Sequence, residues 1–538
     1  MTIGTPSRRE FLALSSLSLA GLAHPGRGRW QRLPVTSTAP VDTFVPELVS
    51  PDRLRGLAQV AVDAARHDGA SYADVRISNL RRLFVAAGPL PDPSLELRVE
   101  CTYGVRALVD GVWAFAYGVD FTPDAVAQAA RSAVTTARGL KAYVMPRPAM
   151  APRPAVQGEW SAPRGVDPFT VSPDEHARMM GAYRAATERV LDSGGARIEF
   201  SWTSESRVFA STEGALLTQH LSGVDPFVEV EGSYPDREPA RLRVRGFSPA
   251  TVGFEALCNP ELQDRIKATT EEARGLASYP MGNAEVGRFA AVFDGITAGT
   301  VLSITLVPAL EMDRVLGYEA DGVGTSFLSP VNEILGHSLF SPQLSVIADR
   351  TVPRYGAAKW DDEGVPTDTF PVIQRGTVVD YFATRTAAAA SESTVQARGT
   401  SVAVTPGHFP TGRATHVTVP ADARGPSMAD MIAGIPNGVL ALTAREMNTN
   451  QQLAGGLLQP GLLFEIKQGR ITRRLRGGVV QVRSKVLWGG IAAMGNETTV
   501  DAATSSTYET ETQRTVSFQV PAVHFKSVDV IQLGRRLA

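Results

Sequence analysis

The chain has 538 residues, of which 43% are hydrophobic and 20% charged, with a net charge of −2. That length supports a large core divided among two or three domains, and the near-neutral balance excludes a general nucleic-acid binder, which is normally basic. No stretch reaches 18 uninterrupted apolar residues, so no membrane partner is expected.

The N-terminus reads as a targeting segment. Ser7-Arg8-Arg9-Glu10-Phe11-Leu12 fits a twin-arginine export signal, and the apolar stretch Phe11–Ala23 that follows is too short to span a bilayer as a mature helix. Residues 1–30 are therefore assigned to a signal peptide and the start of a linker, and the expected location is periplasmic or otherwise extracytoplasmic. Export permits a disulfide between the two cysteines, Cys101 and Cys258. Two buried free thiols in different domains are the preferred reading, and sequence alone does not decide the pairing.

Residues 24–50, rich in Pro, Gly, Arg and Thr, read as a linker. Ser50 can cap a helix that has Pro51 at its first position. Leu57, Val60, Ala61, Ala64 and Ala65 then recur at helical spacing as far as Gly69. Tyr72–Ile77 reads as a strand. Gly104–Ala116 alternates around Asp110-Gly111, a two-residue hairpin signal, and 123–140 reads as another helix. These elements make an α/β N-terminal domain over 48–142. The Pro-rich stretch 143–168 marks a boundary. A helix over 172–193, strands Ser201–Val208 and Ala215–His220, and a charged helix Asn259–Ala277 predict a middle domain of helices and strands over 143–282. A β-rich C-terminal domain takes 287–538, so the fold class is α+β. Within it, 296–316 is expected to be one mostly buried helix, with Val301, Leu302, Thr305, Leu306, Ala309 and Leu310 at helical spacing.

Several segments, taken in order, carry a family resemblance. They are Asp68–Ser78 (DGASYADVRIS), Gly104–Ala116, the turn Ser211-Thr212-Glu213-Gly214, Leu310–Phe327, Asp361-Asp362-Glu363-Gly364-Val365-Pro366 and Gly461–Arg470. Each is weak alone. Together they closely resemble the TldD/PmbA family of metallopeptidases over most of residues 50–500. The resemblance implies an α+β fold whose β-rich C-terminal domain holds the active-site region. It also implies dimers that enclose a peptide-access chamber. In the family's two-subunit systems, one partner carries zinc and the other has no zinc motif.

In active members an H-E-x-x-x-H helix directly precedes the segment matched at Leu310–Phe327. In this chain the first His position holds Ser303, the Glu position Ile304 and the second His position Pro308. A catalytic zinc needs about three N, S or O ligands and an open position for water, and a neighbouring carboxylate to take the proton. Ser303 is a poor ligand, Ile304 accepts no proton, and Pro308 has no donor atom. The family's third ligand is usually a Cys near the C-terminus, and nothing after Cys258 can fill that role. None of the eight His residues pairs with another at zinc-motif spacing. No catalytic, cofactor-binding or metal residue is assigned.

Other candidates read better as structure. Glu311, Asp313, Glu319 and Asp321 could bind a hard cation, but salt bridges and caps explain them better. Asp361-Asp362-Glu363-Gly364 lacks calcium-loop spacing and is expected to bind backbone or Arg groups near the cleft. His408 and His416 lack a third donor. Ser326 and Ser401 sit among small residues with no His or acid placed beside them. No nucleophile elbow, phosphate-binding loop or dinucleotide fingerprint is present.

The reading is an exported noncatalytic subunit or peptide-binding pseudoenzyme with no cofactor, working as a homodimer or as a heterodimer with a TldD-type relative. The alternative is a metal-dependent peptidase that acts on unfolded peptides through an unrecognised metal site. A binding or scaffold role unrelated to peptides is the third possibility.

Overall fold

A computed structural model of the chain describes residues 30–532 except 47, 89–92, 144–149, 164, 189–194, 245–246, 248–249 and 507–512. The export signal around Arg8 and Arg9 lies outside the described residues. Helix α1 (Pro51–His67) begins as expected, with Ser50 Oγ accepting from Arg53 N at 3.4 Å. Leu54, Leu57, Ala58, Ala61, Val62 and Ala65 form its buried face. Strand β1 (Tyr72–Ala87) pairs along its length with β2 (Ser94–Val109). The turn into β3 (Val112–Gly118) places Asp110 at φ 51° and Gly111 at φ 80°, the positive pair that a two-residue hairpin requires. Helix α2 (Pro123–Leu140) packs beside α1, and both cover Val75, Ile77, Val105 and Ala107.

Helix α3 (Pro173–Glu188) precedes two long strands, β4 (Ala196–Ser211) and β5 (Leu216–Tyr234), and α4 (Glu261–Ala277) follows them. β4 pairs with β1 from Asp74↔Ser211 to Ala87↔Ile198. The segments read from sequence as N-terminal and middle domains therefore share one eight-stranded sheet, and the boundary expected near 143 falls within that unit. Strands far apart in sequence close it, which local patterning does not reveal.

The C-terminal region forms a twelve-stranded mixed sheet. β6 (Gly287–Phe293) leads into α5 (Gly295–Ile304), capped by Asp294, whose carboxylate accepts from Thr297 N at 2.8 Å. The single helix expected over 296–316 is instead interrupted. α5 stops at Ile304, and two single turns follow, α6 (Leu306–Ala309) and α7 (Met312–Val315). Pro308 accounts for the break: its ring excludes a regular helix carbonyl at Ile304 and it supplies no N–H. β7 (Asn437–Thr449) and β8 (Gly455–Lys467) form a long antiparallel pair. β9 (Ile491–Ser506) pairs with β10 (Gln513–Gln532), which also pairs with β6.

Both cysteines are free. Cys101 is half-buried and Cys258 exposed, so the expectation of two buried thiols is corrected. No described helix is long and apolar enough to cross a membrane.

The pleat of the eight-stranded sheet sets up the site. Successive side chains point to opposite faces, and one face carries Val75, Ile77, Leu83, Val85, Phe200 and Trp202 toward helices and core. The other face carries Asp74, Arg76, Ser78, Arg82, Glu205 and Arg207, and the C-terminal region covers it. An alternating polar face ordinarily meets water; here much of it is enclosed between two sheets.

Candidate functional site

The acidic turn docks on that polar face. Asp361 accepts from the backbone N–H of Glu363 (2.9 Å), Val365 (2.8 Å) and Ser401 (3.0 Å). Arg207 binds Asp362 at 2.6 Å and Glu205 at 2.8 Å. Arg106 bridges Asp74 at 2.7 Å and Glu363 at 2.8 Å, with its guanidinium 4.7 Å from the Trp113 ring centroid. The backbone and Arg partners expected for this turn are therefore found. Burial pushes the Asp361 carboxyl up, and the charge of Glu363 adds to the shift, against the three backbone donors. Asp362 is also buried, yet Arg207 and Arg76 hold it below the usual carboxylate range. Gly364, at φ 73°, closes the turn against Phe209, where a Cβ would come within 2.9 Å.

The second clamp joins the turn Ser211–Gly214 to the C-terminal region. Glu213 accepts a two-pronged pair of bonds from Arg385, each 2.7 Å, while Arg385 N donates to Glu363 at 2.7 Å. Two of the segments that carried the family resemblance thus lie on opposite sides of one interdomain contact.

Beside this network lies a cleft. Its outer cavity, about 830 Å³, is walled by Ser201, Asp225, Phe227 and Arg243 on one side and by Thr300, Ile304 and Pro308 on the other. Two of the three zinc-motif positions, Ile304 and Pro308, thus face the cavity with carbon. Ser303 is buried, and its hydroxyl has no hydrogen-bond partner among the described residues. One hydroxyl beside an isoleucine and a proline does not fit a zinc ion. Among the described residues, no group of three or more His, Cys, Asp or Glu could hold a metal ion.

The third wall is β7. It pairs with β6 only over Gly438–Ala441, then bulges between Ala444 and Glu446 while staying paired with β8. Thr443, at φ 53°, donates its N–H to Asp294, and no described strand pairs with the other edge of Ala444–Thr449. That edge lines the outer cavity. Burial pushes the Asp225 carboxyl up to about 6 against the opposing charge of Arg243, with Asp501 and Glu199 adding to the rise. Arg243 pairs with Asp501 at 3.0 Å and stacks on Phe227 at 4.0 Å. An inner cavity of about 240 Å³ continues along the same strands, lined among others by Arg82, Glu205, Arg207, Ser222 and Arg350.

The other sequence candidates are structural. Glu311 pairs with Arg314 at 3.0 Å, and Asp313 accepts from Gly412 N at 2.8 Å. Glu319 lies 4.0 Å from Arg314, and Asp321 is exposed. Ser326 donates to Ala309 O at 2.5 Å. The Ser401 hydroxyl is buried without a partner among the described residues, and its backbone N–H serves Asp361. His408 bonds Thr405 at 2.8 Å and His416 bonds Ser517 at 2.8 Å. Burial pushes the His416 imidazole down to about 4. Sequence reasoning missed Arg82, Asp225, Arg243, Arg350 and Asp501. The available signal was a polar face too rich in Arg and acid for a plain solvent-facing strand.

The two-sheet fold and its cleft belong to a metallopeptidase-like protein, and the positions read from sequence as its zinc motif hold Ser303, Ile304 and Pro308. The chain belongs to the TldD/PmbA family. Residues 286–532 match the PmbA/TldA metallopeptidase C-terminal domain, and residues 95–137 match PmbA/TldA metallopeptidase domain 1. The metalloprotease MJ0996 of Methanocaldococcus jannaschii is 22% identical over 236 residues, a match that spans 44% of this chain and 48% of that protein. Among solved structures, a candidate modulator of DNA gyrase from Bacteroides thetaiotaomicron superposes with a TM-score of 0.67 at 16% identity. That match covers 90% of this chain and 100% of the other. TldE from Thermococcus kodakarensis superposes with a TM-score of 0.64 at 16% identity, covering 89% and 99%.

Proposed function

We propose that this chain is an exported, noncatalytic member of the family that holds unfolded peptide in its interdomain cleft, as a homodimer or beside a zinc-bearing relative. The observation that carries this reading is a cleft with an unpaired strand edge at Ala444–Thr449, facing Ile304 and Pro308 where a peptidase would place zinc-motif residues. An extended peptide can add to such an edge through main-chain hydrogen bonds with little regard to sequence. Ser303, Ile304 and Pro308 supply neither the zinc ligands nor the general base that hydrolysis needs.

The test measures zinc content, cleavage and binding on one preparation of the mature protein. Far less than one zinc per chain is expected, with a fluorescent unfolded peptide bound and left intact. Stoichiometric zinc with chelator-sensitive cleavage would establish the metal-dependent peptidase instead. Export is tested separately: changing Arg8 and Arg9 together to Lys should retain the precursor in the cytoplasm, and normal export of that variant removes the twin-arginine assignment.

A further inference from the structure

We propose that the inner cavity is a carboxylate site in which Arg82 and Arg350 hold the C-terminal carboxylate of an extended peptide. The inference deepens the peptide-binding reading above and rests on it.

The argument begins with the charges around the cavity. Its carboxylates already have partners: Glu205 binds Arg207 at 2.8 Å and Ser78 at 2.6 Å, Glu100 pairs with Arg98, and Glu311 pairs with Arg314. Arg207 is further engaged by Asp362, and Arg413 by Thr411 at 2.6 Å and Glu319 at 3.9 Å. Two guanidinium groups of the lining remain. Arg82, half-buried on β1, makes no hydrogen bond or ion pair among the described residues. Arg350 is only 8% exposed, and it donates to two carbonyls, Gly356 O at 3.3 Å and Gly399 O at 3.0 Å; among the described residues no carboxylate lies in ion-pair range of it. Burial and the neighbouring charge of Arg207 pull its pKa down, against Asp361 and Asp362. Asp361 and Asp362 offset the cost of burying this cation only from beyond ion-pair range, and an entering carboxylate would relieve the remainder through charge-assisted bonds. Ser222 in the cavity wall adds another donor, a buried hydroxyl with no partner among the described residues.

The shape of the cleft selects a peptide end over a free anion. Arg82 of the inner cavity and Phe84 of the outer one lie two residues apart on the same face of β1, about 7 Å along the strand. Thr203 and Ser201 repeat this relation on β4, as do Gly223 and Asp225 on β5. A strand laid against Ala444–Thr449 can therefore run its terminus inward. At about 240 Å³ the inner cavity admits a terminal residue and excludes a folded domain.

The experiment uses the full mature protein and two N-terminally labelled unfolded peptides of one sequence, one with a free C-terminal carboxylate and the other amidated. Anisotropy should show the free acid binding at least about 10-fold tighter, which corresponds to about 1.4 kcal/mol. Arg82→Gln, whose native side chain makes no hydrogen bond or ion pair among the described residues, should weaken the free acid to the level of the amide and leave the amide unchanged. Equal affinity of the wild-type protein for both peptides overturns the site without touching the peptide-binding reading, and this comparison needs no variant. Failure to bind either peptide overturns that reading and this inference with it. Inorganic phosphate that stabilises the protein through Arg82, with both peptides bound alike, assigns the cavity to a small free anion and overturns the peptide assignment.

Discussion

Arg106 is buried with Asp74 on one side and Glu363 on the other, so a single guanidinium spans two strands and the acidic turn. Such a group contributes less by attraction than it costs to remove, because its partners would remain charged in a low-dielectric interior. Arg106→Met should therefore destabilise the protein by about 3–5 kcal/mol, read from the denaturant midpoint at constant slope; a change within about 0.5 kcal/mol would show that the network is solvated. Asp225 gives the opposite case. Its folded-state pKa is raised to about 6, so its contribution is fully present below the ordinary carboxylate pKa and is lost as pH rises through about 6. Above pH 7 the ionised side chain opposes folding. Asp225→Asn should raise the melting temperature at pH 8, by the equivalent of about 1–2 kcal/mol, and the gain should vanish near pH 4. An equal gain at both pH values would mean that the effect is packing and not charge.

At the level of elements, the interrupted helix at 295–315 decides what repair can achieve. α5 is held at its start by Asp294, while at its end Thr305 turns away at φ −112° and ψ −70° with its hydroxyl on Val301 O. Restoring the motif by Ser303→His, Ile304→Glu and Pro308→His supplies two ligands and a base, but no third ligand and no outer shell to orient them. The triple variant should hold less than one tightly bound zinc per chain by metal analysis after dialysis. Full occupancy with peptide cleavage would show that a third ligand is already positioned. Ser303 also faces neighbours packed around a serine, so a buried imidazole there carries an added steric cost.

Across the whole molecule, the two sheets are tied by charge. Arg207–Asp362, Arg106–Glu363 and Arg385–Glu213 all cross between them, beside an apolar contact of Phe209 and Leu217 with Trp360. The cleft next to these clamps is open to solvent in one chain, and the dimer we propose would enclose it. The dimer should bury more than about 1,500 Å², the scale of a specific interface. Light scattering after size exclusion should give twice the chain mass at micromolar concentration. A monomer with no copurifying relative would count against the chamber and leave the fold untouched.

Several elements were legible locally because their determinants are local. Ser50-Pro51 starts a helix by capping geometry, and Asp110-Gly111 forces a hairpin through positive φ. The non-ligand character of Ser303, Ile304 and Pro308 is chemical and needed no coordinates. Other features depended on distant partners. The sequence implied a domain boundary near 143, yet β1 and β4 pair across it, and strand pairing is set by contacts more than a hundred residues apart. The helix pattern over 296–316 recorded burial from all sides, which periodicity does not distinguish from one continuous helix. The acids of 361–363 announced themselves as a cluster, but only the fold brought Arg106 and Arg207 to them. Arg82 and Arg350 are separated by hundreds of residues and by two sheets, and each reads in its own segment as an ordinary surface charge. Their shared cavity exists only once the polar face of one sheet is covered by the other.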